Sequence, residues 1–153
     1  MREDARMSTA EPIRVAISDD QELMRSALRM TVESQDDLEL VGEAADGHEV
    51  VALARERRVD VVLMDLRMPR LDGIGATAVI TSELPGTRVV ALTTFDLDDL
   101  AFAAIRAGAS AFLLKDARAE QIVEAIRVVH AGNAVQEPRW RLFLDAHRRS
   151  PLR

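Results

Sequence analysis

At 153 residues, with 48% hydrophobic side chains, the chain is long enough to bury one ordinary core, so one domain is expected. Cysteine is absent, which excludes disulfide frameworks, thiolate metal sites and cysteine nucleophiles together. The net charge of -6 is uneven: residues 133–153 carry five arginines against Glu137 and Asp145, and the acidic remainder argues against direct nucleic-acid binding by the body.

The first residues, MREDARMSTAEP, lack the apolar core of a signal peptide, and residues 1–11 read as a disordered polar leader. With every apolar run well short of the roughly 20 residues that span a bilayer, nothing marks the chain for a membrane and the cytoplasm is the expected compartment. The first apolar run is IRVAIS (13–18), followed by Asp19 and Glu22 at capping-box spacing. LELVGEA (38–44) follows, then Asp46 and Glu49 at the same spacing. VDVVLMD (59–65), TRVVALTT (87–94) and SAFLL (110–114) complete the set, with Gly108 and Gly132 where helix C-termini are expected. Ile122, Ala125, Ile126 and Val129 fall on one helical face.

Successive runs begin 21 to 28 residues apart, room for a strand, a turn and a helix. Five such units, with strands apolar on both faces, predict a doubly wound α/β fold around a parallel sheet. The segment 133–153 is too short for a further domain with its own core. It reads either as a linker or as one amphipathic helix bearing Trp140, Phe143 and Leu144.

In such sheets ligands bind beyond the carboxyl ends of the strands. The first run ends in Ser18-Asp19-Asp20, the third in Asp65, the fourth in Thr93-Thr94, and the fifth meets Lys115. Singly, each has an ordinary explanation: a helix cap, a turn former before Met68-Pro69, a strand threonine, a solvated end. Unrelated causes have no reason to converge on one edge. Converging carboxylates are costly unless a cation neutralises them, and a few hard oxygen ligands suit Mg²⁺. Lys115 is the only lysine beside 19 arginines, which points to a need for a compact point charge. Metal, ammonium and hydroxyl together make a site for a transferring phosphoryl group, with an aspartate as nucleophile.

At Asp19-Asp20, LMDLRMPRLDG (63–73), ALTTFD (91–96) and GASAFLLKD (108–116) the sequence resembles the receiver domain of two-component response regulators over residues 13 to about 131. The resemblance implies a flavodoxin-like (CheY-like) five-stranded sheet of order 2-1-3-4-5 with five helices, a receiver domain over 12–132. It implies Asp65 as phosphoacceptor and Asp20 as a direct Mg²⁺ ligand supported by Asp19, with a further ligand from the Arg67 backbone carbonyl. Thr93 matches the switch hydroxyl, Lys115 the lysine that pairs with a phosphoryl oxygen, and Phe112 the aromatic that turns inward. Ordinary core packing explains Phe112 equally well. Asp116 directly after the lysine, with TTFDLDD, looks like the NarL/FixJ (LuxR-type) branch, whose members are usually transcriptional regulators with a C-terminal DNA-binding domain. Implied partners are a sensor histidine kinase and a second copy in a phosphorylation-dependent homodimer, with DNA reached only through an output domain not in this chain. The expected activity is that of a switch, with no catalysis beyond its own phosphorylation and dephosphorylation. Phe95, two residues after Thr93, is expected to shield the acyl phosphate from water and slow its loss.

Three other readings compete. A haloacid-dehalogenase-type phosphatase needs a second aspartate at position 67, which is arginine. A dinucleotide- or flavin-binding module needs a glycine-rich loop after the first strand, where this chain has Asp-Asp-Gln-Glu. The stronger rival is a phosphorylation-independent binding module on the receiver fold.

Overall fold

The computed structural model describes residues 11–68, 70–94 and 98–132; the expected leader, apart from Glu11, and the segment 133–153 lie outside them. In chain order the elements are β1 (Ile13–Ser18), α1 (Glu22–Glu33), β2 (Leu38–Ala44), α2 (Gly47–Glu56), β3 (Val61–Asp65), α3 (Gly73–Glu83), β4 (Arg88–Thr93), α4 (Asp98–Arg106), β5 (Ala111–Leu114) and α5 (Ala119–His130). The five strands pair in parallel, as the alternation of apolar runs and helical segments led us to expect, and their order β2-β1-β3-β4-β5 is the one that the family resemblance implies.

Side chains alternate across each strand, so the sheet feeds two cores. Val15, Ile17, Val61, Leu63, Val90 and Leu92 pack with Leu28 and Val32 of α1 and Ile122, Ile126 and Val129 of α5. Val62, Met64, Val89, Ala91 and Phe112 face the other way, towards Val50 and Ala54 of α2, Ile80 of α3 and Ala104 of α4. With both faces covered, the strands have no polar side, and only their ends are free to carry chemistry.

β1 and β2 match their apolar runs, whereas the other three strands are shorter than theirs. β3 starts at Val61 because the two residues before it serve neighbours: the Val59 carbonyl accepts the Thr87 hydroxyl at 2.7 Å, and the Asp60 carboxylate accepts the Arg14 N–H at 2.9 Å. β4 and β5 lose the hydroxyl residues at their ends, Thr87, Thr94 and Ser110. A register shift between Val15 and Ala16 leaves a bulge in β2, and the Arg57 guanidinium donates to the carbonyl of Val41 there.

The helix ends divide along the same lines. Asp46 caps α2, its Oδ1 accepting from the Glu49 N–H at 2.9 Å, while the Glu49 carboxylate accepts from the Ala45 N–H at 2.7 Å. The Asp19–Glu22 box does not form. Gln21 occupies the cap position of α1 without a side-chain bond, because Asp19 is turned into the sheet edge. Gly108 closes α4 with φ 112°, donating to the Ile105 carbonyl while Ala109 reaches back to Ala104, the paired bonds that end a helix in the left-handed conformation. Gly132 likewise follows α5 with φ 80°. Asp72 caps α3 through the Gly75 N–H at 2.8 Å, a cap that the sequence pattern does not single out.

Candidate functional site

Parallel pairing brings the last residues of β1, β3 and β4 to one edge, and Lys115 joins them because its N–H donates to the Thr93 carbonyl at 2.7 Å. Asp19, Asp65 and Thr93 are buried, at 0%, 2% and 1% exposure, whereas Asp20 faces solvent. The Lys115 ammonium lies 2.9 Å from Asp19 Oδ2 and 3.2 Å from Asp65 Oδ2, bridging the two carboxylates. Each carboxylate spends its other oxygen on a nearby backbone N–H: Asp19 Oδ1 accepts from Gln21 at 2.9 Å, Asp65 Oδ1 from Arg67 at 3.1 Å. The bridged oxygens, Asp19 Oδ2 and Asp65 Oδ2, are buried, and among the described residues that ammonium is their one partner. Thr93 Oγ1 is buried and has no hydrogen-bond partner among the described residues. Leaving a hydroxyl unpaired in a dry site is costly, which marks a place where a ligand oxygen would be welcome.

Burial is the main reason the Asp65 carboxyl is pushed up to about 6; the Arg67 N–H opposes it, the Asp19 charge adds to it and Lys115 opposes it again. For Lys115 burial works towards a lower value, but the hydrogen bond to Asp19 and the charges of both aspartates together outweigh it and raise the ammonium above its usual range.

One ammonium cannot neutralise three carboxylates. Asp19, Asp20 and Asp65 offer oxygens that all lie within 4.8 Å of one another. A donor set of carboxylate oxygens, one of them open to water, fits a hard divalent cation such as Mg²⁺. The Arg67 side chain is exposed, and its backbone runs beside Asp65 through the bond from its N–H. Phe112 is buried at 4% in the core on the α2–α4 side. Phe95 lies outside the described residues.

The loop between β3 and α3 carries features that sequence reasoning missed. The Ser18 hydroxyl, fully buried, donates to Met68 Sδ at 3.1 Å and ties the loop to the end of β1. Arg70 has a left-handed backbone, φ 63°, which costs a residue with a Cβ about 1–2 kcal/mol. Its guanidinium donates to Asp46 Oδ2 at 2.6 Å. Nothing in the chain signals a pair 24 positions apart on two loops, and only the fold brings them together. Gly73 did carry a signal, as the glycine closing LMDLRMPRLDG. A Cβ there would lie 2.1 Å from the Asp65 carbonyl oxygen. Gly73→Ala should therefore force α3 off β3 and lower stability by about 2–3 kcal/mol, read from urea unfolding.

Comparison with known proteins agrees with this geometry. The family model described as the response regulator receiver domain matches residues 15–127. The uncharacterized transcriptional regulatory protein YxjL of Bacillus subtilis is 47% identical over 125 residues, which cover 82% of this chain and 57% of that protein. The transcriptional regulatory protein LiaR of the same organism is 46% identical over 120 residues, 78% of this chain and again 57% of the relative. The chain thus spans little more than half the length of these relatives. Among solved structures, a LuxR-family two-component response regulator from an Aurantimonas species superposes with a TM-score of 0.81 at 30% identity, covering 90% of this chain and 99% of the other. Among the described residues no helix is long and apolar enough to cross a membrane.

Proposed function

The chain belongs to the response regulator receiver family of two-component signalling, and from that premise we propose that Asp65 accepts a phosphoryl group from the histidine of a sensor kinase. The observation that carries this reading is the Lys115 ammonium between the buried Asp19 and Asp65 carboxylates, beside the unpaired hydroxyl of Thr93. An Asp65 carboxylate oxygen attacks phosphorus, the nitrogen–phosphorus bond of the kinase histidine breaks, and its electron pair returns to the imidazole. Lys115 then pairs with an oxygen of the acyl phosphate, and the Thr93 hydroxyl donates to another. Asp20, Asp65 and the Arg67 carbonyl would hold Mg²⁺, with Asp19 supporting them. When bound, that ion supplies the positive charge that lets anionic donor and anionic acceptor approach.

Adding charge and acceptor oxygens at this edge draws Thr93 and Lys115 towards Asp65 and shifts the neighbouring loops, with Phe112 packed inward beneath them. The changed surface is read by a partner, in this reading a second copy of the chain. Kinship with LuxR-type proteins extends the proposal to transcriptional control in the cytoplasm, with DNA contacted by an output domain beyond residues 12–132. The chain acts as a switch, its chemistry confined to its own phosphorylation and dephosphorylation.

The test is the intact mass after incubation with acetyl phosphate. One added phosphoryl group in Mg²⁺ and none in EDTA supports the reading. No addition with either acetyl phosphate or phosphoramidate would favour the phosphorylation-independent module.

A further inference from the structure

Arg70 is the one residue other than glycine with a left-handed backbone among those described. Such positions usually fall to glycine or asparagine, because a Cβ there crowds the chain. Here the side chain is anchored: Nη1 donates to Asp46 Oδ2 at 2.6 Å, and Asp46, 3% exposed, uses its other oxygen to cap α2. A second link lies alongside, the Gly47 N–H donating to the Leu71 carbonyl at 2.9 Å. The loop after the acceptor strand is thereby joined to the first turn of α2 by a charged bond and a backbone bond.

The pair is a weak source of stability to set against that strain, because the Arg70 side chain is 70% exposed and water screens its bond to the buried Asp46. A glycine at this position would remove the strain. A strained residue that its surroundings hold in place beside a reactive centre points to a need for geometry.

We infer that Arg70 is a positioning residue for phosphoryl transfer at Asp65, acting through the loop and not by contact with the donor, an inference that rests on the function proposed above. The bond to Asp46 holds the loop after Asp65 in register with β3. It thereby fixes the Arg67 N–H that donates to Asp65 Oδ1, together with the neighbouring carbonyl assigned to Mg²⁺.

The test compares wild type, Arg70→Gly, Asp46→Asn and the double variant. Three quantities are read: the thermal midpoint in EDTA, the Mg²⁺ dissociation constant by titration calorimetry, and the rate of phosphorylation against acetyl phosphate concentration. Arg70→Gly removes strain and link together, so its midpoint in EDTA stays within about 2 °C of wild type. Its Mg²⁺ affinity and maximal rate fall, the rate by roughly tenfold, as small misplacements of reacting groups do, while half-saturation by the donor is unchanged. Asp46→Asn keeps a capping oxygen and gives the same loss of rate, and the double variant loses no more than either single one. Wild-type Mg²⁺ affinity and rate in Arg70→Gly would overturn the inference. So would a loss of rate matched by a lowered midpoint, which is the mark of a merely structural residue. If the wild type itself takes no phosphoryl group, the proposed function has failed, and the Mg²⁺ affinities alone then judge the role of Arg70 in shaping the loop.

Discussion

Lys115→Met should destabilise the protein by about 3 kcal/mol at pH 8 in EDTA, the cost of leaving buried carboxylates without their counter-charge. The replacement keeps the length and the apolar stem of the side chain, so the loss is one of charge. Asp19 Oδ2 and Asp65 Oδ2 sit 2.9 Å and 3.2 Å from the ammonium and have no other partner among the described residues. At about pH 5 the loss should shrink. Asp65 is pushed up to about 6 even with Lys115 present, and without that attraction it rises further and takes up a proton. In the wild type the ammonium is raised above its usual range, so it stays charged throughout this interval, and the change between the two pH values comes from Asp65; Lys115's own titration removes its contribution only as pH climbs through that raised value. Urea unfolding at the two pH values measures the difference. An equal loss at both would mean that the charge of Asp65 is not what Lys115 offsets.

Asp65→Asn works in the opposite direction and should raise stability. The unfolded carboxyl titrates near the ordinary value of 3.8, the folded one near 6. Between those values the folded state holds a proton that the unfolded state has released, so wild-type stability declines as pH rises through about 4 to 6 and is level above that window. Asparagine carries no charge and escapes the decline. Its advantage is therefore near zero below about pH 4 and complete above about pH 6, where it amounts to at most about 3 kcal/mol. Thermal midpoints in EDTA across this range give the profile. Adding Mg²⁺ should close most of the gap by raising the wild type, because a bound cation neutralises the cluster that asparagine relieves. A variant that is less stable than wild type at pH 8 would contradict the assignment of burial and Asp19 as the sources of strain on Asp65.

Much of this was legible before any coordinates. Apolar runs 21 to 28 residues apart imply a parallel sheet, and a sheet covered on both sides leaves only strand ends for polar chemistry, which is why Asp19, Asp20, Asp65, Thr93-Thr94 and Lys115 could be named together, the family resemblance then choosing Thr93. What escaped is equally instructive. The Asp19–Glu22 spacing suited a capping box, yet the burial of Asp19 against Lys115 prevailed over local capping. Local pattern cannot weigh a partner so distant in the chain. The Ser18–Met68 and Arg70–Asp46 contacts are of the same kind: ordinary residues given a role by segments that only the completed fold brings together. The left-handed backbone of Arg70 had no signal, since the residue is neither glycine nor asparagine.

The central claim is that Asp65 carries the phosphoryl group. Its most direct test is to phosphorylate the wild type and Asp65→Asn in Mg²⁺, reduce with borohydride and map the product by peptide mass. The account predicts homoserine at position 65 in the wild type, with no modified residue in the variant. Homoserine at another aspartate, or equal labelling of the variant, would contradict it.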